Sequence, residues 1–211
     1  MRLRRIPAAR TLVDNHPLVI TERQALLLPG RWRQMFAAEQ PLQVEIGVGQ
    51  GRFLQAEAAA RPKQNYVGVE RRAEPLLWLI KQVQEPYPAN LRLLHGEAAR
   101  LTEIFAPGEV DVLYLFFSDP WPKSRHAKRR LTAPSFVQAY QRILRSAGRL
   151  IFKTDGAAFY HWSYANFQHA GWQTAENSED WPLQAGEAIS NYEQRFRDLG
   201  QPIYYAEFVA P

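Results

Sequence analysis

The chain has 211 residues, 46% of them hydrophobic and 12% aromatic, which is enough to fill the core of one α/β domain and excludes a disordered polymer. It contains no cysteine, so disulfides, thiolate metal sites and cysteine nucleophiles are excluded, and no apolar run approaches the roughly 18 residues that span a bilayer. The formal net charge of +5 is unevenly placed: residues 120–154 hold no acid and nine cations (Lys123, Arg125, Lys128, Arg129, Arg130, Arg142, Arg145, Arg149 and Lys153), while acids outnumber bases elsewhere. Charge focused in this way suits a phosphate backbone.

Residues 1–10 are Arg-rich and acid-free but lack the apolar centre of a secretory signal, and read as a basic arm on a cytoplasmic protein. Residues 1–40 show little periodicity. They are expected to form a partly flexible extension with one short helix over residues 31–39, ahead of a single domain spanning 41–211.

From residue 41 the pattern is regular. Leu42, Val44 and Ile46 alternate as in a strand; glycines follow, then a helix over 52–60 stopped by Arg61-Pro62. A second strand over 66–69 ends at Glu70, and an apolar helix carrying Leu76, Leu77, Trp78, Ile80 and Val83 is closed by Pro86 and Pro88. The third strand, 91–94, ends at His95-Gly96-Glu97, and a short helix over 98–105 breaks at Pro107-Gly108.

The fourth strand, 112–117, is apolar on both faces, as the middle of a parallel sheet requires. Beyond the basic loop, Phe136, Tyr140, Ile143 and Leu144 mark a helix with Gly148 as its C-terminal stop. A fifth strand over 150–152, a helix over 157–170, a strand over 172–175 and a last strand over 203–209 complete the chain. Strands and helices alternating this steadily predict one doubly wound, mostly parallel sheet of about seven strands.

Chemistry concentrates at the strand ends. Gly47, Gly49 and Gly51 join the first strand, which carries Glu45, to the first helix, where glycines allow a tight turn and close approach to a ligand. The dinucleotide fingerprint G-x-G-x-x-G needs a third glycine where Arg52 stands. The G-x-G-x-G form resembles instead the S-adenosylmethionine loop of Rossmann-like class I methyltransferases. Glu70, 19 residues after Gly51, stands where an acid accepts both ribose hydroxyls of a nucleoside, and Glu97 where one reaches an adenine amino group.

Asp119 follows the fourth strand in a turn stiffened by Pro120 and Pro122, and Asp155 follows the fifth; the alternative for both is capping of the next helix. Trp121 either stacks on a base or plugs the end of the sheet. Arg129 and Arg130, in the basic loop, are candidate RNA contacts. Ser190-Asn191-Tyr192-Glu193 has the form of a capping box. The five histidines show no ligand spacing, so no metal site is predicted.

The segments VEIGVGQG (44–51), YVGVE (66–70), FFSDPWPKSRHAKRRL (116–131), FKTD (152–155) and ISNYEQRF (189–196) together resemble the bacterial-type tRNA (guanine-N7-)-methyltransferases. The resemblance implies S-adenosylmethionine contacts by Glu45, Glu70, Glu97 and Asp119. It further implies tRNA or guanine contacts by Lys123, Asp155, Ser190, Asn191, Tyr192 and Glu193, and a target guanosine in the tRNA variable loop. Departures are Glu97 for the usual Asp or Asn, Ser190 for threonine, Ser118 for proline, and a short N-terminal arm. A monomer or homodimer is expected.

Other readings remain open on the residues. One is a methyltransferase acting on an exocyclic amine or a protein, whose N/D-P-P-Y turn the D-P-W turn distantly resembles. The second is a non-catalytic RNA-binding protein of the same fold, and the third, disfavoured by the glycine spacing, a nicotinamide oxidoreductase.

Overall fold

The computed structural model describes residues 6–211; the first half of the basic arm, with Arg2, Arg4 and Arg5, lies outside them. In chain order the elements are α1 (Ala9–Asp14), β1 (Val19–Thr21), α2 (Glu22–Ala25), β2 (Leu42–Ile46), α3 (Arg52–Ala60), β3 (Asn65–Glu70), α4 (Ala73–Ile80), β4 (Leu91–His95), α5 (Leu101–Ile104), β5 (Val110–Phe116), α6 (Pro134–Ile143), β6 (Leu144–Thr154), α7 (Ala157–His169), β7 (Gln173–Ser178), α8 (Asn191–Asp198) and β8 (Tyr204–Val209). Eight strands form one sheet in the order β1-β4-β3-β2-β5-β6-β8-β7, with β8 antiparallel to both β6 and β7 and the other pairs parallel.

The central strands are apolar because both faces are covered. Every residue of β2 is buried, and Leu42, Val44, Leu113, Leu115 and Phe152 belong to one cluster with residues of α6 and α7. Leu54, Leu76, Leu79 and Leu93 form another under α3 and α4. Strand order reverses between β2 and β5, whose register pairs Glu45 with Tyr114. In an open α/β sheet this switch point is where a crevice opens beyond the strands' carboxyl ends.

Three local expectations change. The segment before residue 41 is not separate from the sheet: Val19–Thr21 pairs in parallel with Leu93–His95 and raises the strand number to eight. Its expected helix over 31–39 is one 3-10 turn, Trp32–Met35, in which Trp32 is fully buried and donates to Ile104 O at 2.8 Å. Gly148 does not stop α6, which gives way to extended backbone at Leu144. The turn that follows places Ala147 at φ 55°, and Gly148 is required because a Cβ there would meet Arg145 O at 2.8 Å.

Candidate active site

A cleft of about 700 Å³ opens at the switch point, walled by the ends of β2, β3, β4 and β5, the glycine loop, the turn after β5 and the first turn of α8. Its size is that of a small-molecule site. Glu45, Gly47, Gly49, Glu70, Glu97, Asp119, Arg129, Ser190, Asn191 and Tyr192 line it, so residues spread over 148 positions meet at one place. Gly51, Lys123, Arg130, Asp155 and Glu193 are not in its wall.

The glycine loop is left-handed at Gly47, Gly49 and Gly51 (φ 79°, 54° and 72°). Glu70 braces it: Oε2 accepts Gly49 N at 3.3 Å while Oε1 accepts Arg72 N at 2.9 Å. Burial raises the Glu70 carboxyl pKa, against the pull of those two amides and of the Arg71 and Arg72 charges. Glu45 lies deeper, 3% exposed, and its Oε2 has no hydrogen-bond partner. Desolvation, then the negative charges of Glu70 and Glu57, push its pKa well above the ordinary carboxylate value. An orphaned buried acceptor lining a cleft selects a cationic or hydrogen-bond-donating ligand, because a donor there removes a desolvation penalty. S-adenosylmethionine, a sulfonium and ammonium cation with a ribose and an adenine, fits this donor-hungry wall.

The turn after β5 is strained. Phe117 has φ 49° and Trp121 φ 40°, conformations costing non-glycine residues about 1–3 kcal/mol each and concentrated at functional sites. Phe117 N donates to Lys153 O at 2.9 Å, and its ring stacks on Phe196 of α8 at 5.6 Å. Two residues beyond Phe117, Asp119 is exposed at the cleft. Neither Asp119 nor Asp155 caps a helix: α6 and α7 begin behind Ala133 and Gly156 with no side-chain cap. Asp155 is exposed just past the end of β6.

The basic loop divides. Arg129 is exposed, its guanidinium 5.1 Å from the centroid of Trp121, whose ring His126 meets edge-on. Arg130 is turned inward: Nη2 donates to Trp121 O at 3.1 Å, and the guanidinium sits 4.3 Å from the Trp162 ring centroid. These contacts fasten the loop to α7, while Arg130 Nε has no hydrogen-bond partner. Farther along, Arg145 binds Asp111 at 2.9 Å, Arg149 binds Glu207 at 2.6 Å and Lys153 is 2% exposed beside two acids. Three of the nine cations of the acid-free segment are therefore paired with carboxylates outside it. The positive rim of the cleft combines Arg129 of that segment with Arg52, Arg71, Arg72 and Arg195 from three other parts of the chain.

Ser190 caps α8, its Oγ accepting Glu193 N at 3.0 Å. Glu193 does not complete the box; its side chain is fully buried and bound to Lys153 and Arg197. A direct contact between Glu193 and a substrate is thus not available in this conformation. Sequence reasoning missed Phe53 and Phe116, packed edge to face at 4.7 Å in the cleft, and Arg195. Arg195 had a signal: it follows Asn191 by four residues, so both share one face of the helix.

A family model described as "Putative methyltransferase" matches residues 39–206. A tRNA (guanine-N(7)-)-methyltransferase of Lactiplantibacillus plantarum is 41% identical over 207 residues, covering 97% of this chain and 96% of that protein. One of Lachnoclostridium phytofermentans is 37% identical over the same coverage. Among solved structures, the 16S rRNA methyltransferase KamB superposes with a TM-score of 0.66 at 14% identity, covering 90% of this chain and 94% of that one. A 16S rRNA (adenine(1408)-N(1))-methyltransferase from Catenulisporales acidiphilia gives 0.59 at 15%, covering 89% and 91%. At such identities these neighbours share the Rossmann-like fold alone. The curated relatives share more than a third of their residues along nearly the whole length, and the chain belongs to the tRNA (guanine-N(7)-)-methyltransferase family.

Proposed function

We propose that this chain transfers a methyl group from S-adenosylmethionine to N7 of a guanosine in the variable loop of tRNA. The observation that carries the reading is the meeting, in one cleft, of a buried unpartnered carboxylate (Glu45), the Glu70-braced glycine loop and the exposed Asp119 beneath a rim of arginines. S-adenosylmethionine supplies a methyl group on a positively charged sulfur, ready for direct displacement.

Guanine N7 carries a lone pair and no proton, so the protein has no proton to remove from it. Held by Glu45, Glu70 and Glu97, the cofactor would supply the methyl group for direct displacement by N7, with the sulfur leaving as a neutral thioether and the positive charge left on the purine. The residues' task is therefore to place the purine and to favour its new charge. Glu45 and Glu70 hold the cofactor cation and ribose, and Glu97 its adenine. Asp119 accepts hydrogen bonds from the guanine N–H groups, orients the ring and stabilises the cation. Correct placement of this kind supplies about 7–11 kcal/mol of barrier reduction.

Arg129, Arg195, Asn191 and Tyr192 hold the RNA at the rim, with Lys123 and Asp155 beyond the cleft wall contacting the same strand. Phe53 and Phe116 give the cleft an aromatic part of its lining. Among the described residues no helix is long and apolar enough to cross a membrane.

The test is transfer of labelled methyl from S-adenosylmethionine to unmodified tRNA, with the product nucleoside identified. Formation of 7-methylguanosine is expected, as is its loss when 7-deazaguanosine, which lacks only the N7 acceptor, replaces the target. Label on an exocyclic amine, or on the 7-deaza substrate, would refute the assignment to N7.

A further inference from the structure

Next to the cleft lining, at the first turn of α8, lies a group of linked buried charges. Lys153, next to last in β6, donates from Nζ to Glu187 Oε1 at 2.6 Å and to both oxygens of Glu193 at 3.0 and 3.2 Å. Glu193 Oε1 also accepts Arg197 Nη2 at 2.6 Å and Nε at 3.1 Å. Glu187 accepts Gln184 N at 3.0 Å and the Trp181 indole N–H at 3.2 Å, and Arg197 Nη1 donates to Trp181 O at 3.0 Å. Lys153 is 2% exposed and Glu193 0%.

Two cations and two carboxylates thus close into a neutral, fully hydrogen-bonded group, the condition under which charge is tolerated away from water. Burial alone would raise the Glu187 carboxyl, but Lys153, Gln184 and Trp181 together hold it below the ordinary value. The group grips three elements. Glu193 belongs to the first turn of α8, Glu187 to the loop before it, and Lys153 to the strand whose carbonyl receives Phe117 N at 2.9 Å. The Lys153 ammonium also sits 5.3 Å from the ring centroid of Phe116, which lines the cleft.

We propose that Lys153 is a positioning residue: with Glu187 and Arg197 it clamps Glu193 from inside and so sets the first turn of α8, carrying Ser190, Asn191 and Tyr192, against the cleft. The proposal rests on the reading that this rim meets tRNA. Glu193 then acts through its neighbours and does not touch guanine. Ser190 fixes the same turn from its other end through the Glu193 amide, so the substrate half of the site is built from the core outward, independently of the cofactor half around Glu45 and Glu70.

Lys153→Met, Glu187→Gln and Glu193→Gln in the full chain separate the possibilities. Three quantities are read: kcat and KM for unmodified tRNA, the Kd for S-adenosylmethionine by calorimetry, and backbone amide exchange in α8 with α7 as reference. Each variant should lower kcat/KM for tRNA by roughly 10- to 100-fold, the range that small misplacements produce. The cofactor Kd should stay within about twofold, and exchange should quicken in α8 but not in α7.

A tRNA defect confined to Glu193→Gln, with the other two like wild type, would show a direct substrate contact and overturn the clamp. So would parallel loss of cofactor affinity, or exchange quickened equally in α7 and α8, which would make the cluster a general stability element. If Lys153→Met does not fold, Glu187→Gln, at the half-buried edge of the cluster, carries the test. Exchange is measured without tRNA: a loosened α8 in a protein whose wild type does not methylate tRNA would sink the functional reading and leave the clamp standing.

Discussion

Alanine at Gly51 measures how tightly the glycine loop is built against α4. Gly51 has φ 72°, and a Cβ added there would lie 2.2 Å from Leu79 Cδ1 and 2.6 Å from its Cγ. A left-handed backbone costs a non-glycine residue about 1–2 kcal/mol. Overpacking a filled core costs about 1–3 kcal/mol more, and Leu79 is fully buried with nowhere to swing. Gly51→Ala should therefore lose about 2–5 kcal/mol, a large share of the roughly 5–15 kcal/mol that holds a domain folded.

Gly47 separates the two contributions. Its φ is 79°, yet nothing lies within 4 Å of an added Cβ, so Gly47→Ala should lose only the backbone part, about 1–2 kcal/mol. Leu79→Ala costs about 2–5 kcal/mol by itself but opens the space, so that in this background Gly51→Ala should cost as little as Gly47→Ala. Urea unfolding of the cofactor-free protein, followed by tryptophan fluorescence, gives the four stabilities of the cycle. Equal losses at Gly47 and Gly51, or additivity within about 0.5 kcal/mol between Gly51 and Leu79, would refute the steric reasoning.

Glu45 predicts a pH dependence. Its pKa is raised in the fold, so between the ordinary value and the raised one the unfolded chain ionises first, and the cofactor-free protein loses stability as pH rises through that window. Glu45→Gln should flatten this loss in thermal melts across pH. Binding of S-adenosylmethionine should release a proton and tighten as pH rises through the same window, and calorimetry in buffers of different ionisation enthalpy that shows no proton release would count against the Glu45 contact. Arg129→Ala should flatten the log–log salt dependence of tRNA binding by about 0.7–0.9 with no loss of stability, whereas Arg145→Ala, whose guanidinium binds Asp111, should leave that slope unchanged. Arg130→Ala should instead lower the melting temperature, since it removes the Trp121 carbonyl bond and the Trp162 stack; a wild-type melt would show that the loop needs no such anchor. Asp119→Ala should lower kcat/KM by about 100-fold or more without changing the melt, because the side chain is exposed, and wild-type turnover would remove it from the mechanism.

What the sequence determined by itself is whatever depends on neighbours along the chain. Alternation in Leu42-Gln43-Val44-Glu45-Ile46 marks a strand, three glycines mark left-handed turns, and an apolar run broken by Asp119-Pro120 marks the mouth of a cleft, because periodicity and backbone preference act over a few residues. From these the parallel sheet, the glycine loop and the position of Asp119 were all legible. β1 was not, since three residues, Val19–Thr21, become a strand only when β4 offers a ladder. The acid-free segment looked like one basic surface, but Asp111, Glu187, Glu193 and Glu207 neutralise part of it from other elements.

Ser190 and Glu193 show the division within one motif. The cap at Ser190 needs only the next turn of backbone, and it forms. The direction of the Glu193 side chain is a contest between the amide at its own helix start and a buried ammonium 40 residues earlier in the chain. The ammonium wins because Lys153 lies in a core where an unpaired charge is far more costly than an unanswered amide at a helix end. Tertiary structure alone decides that contest, since only folding removes the water that would make the two partners equal.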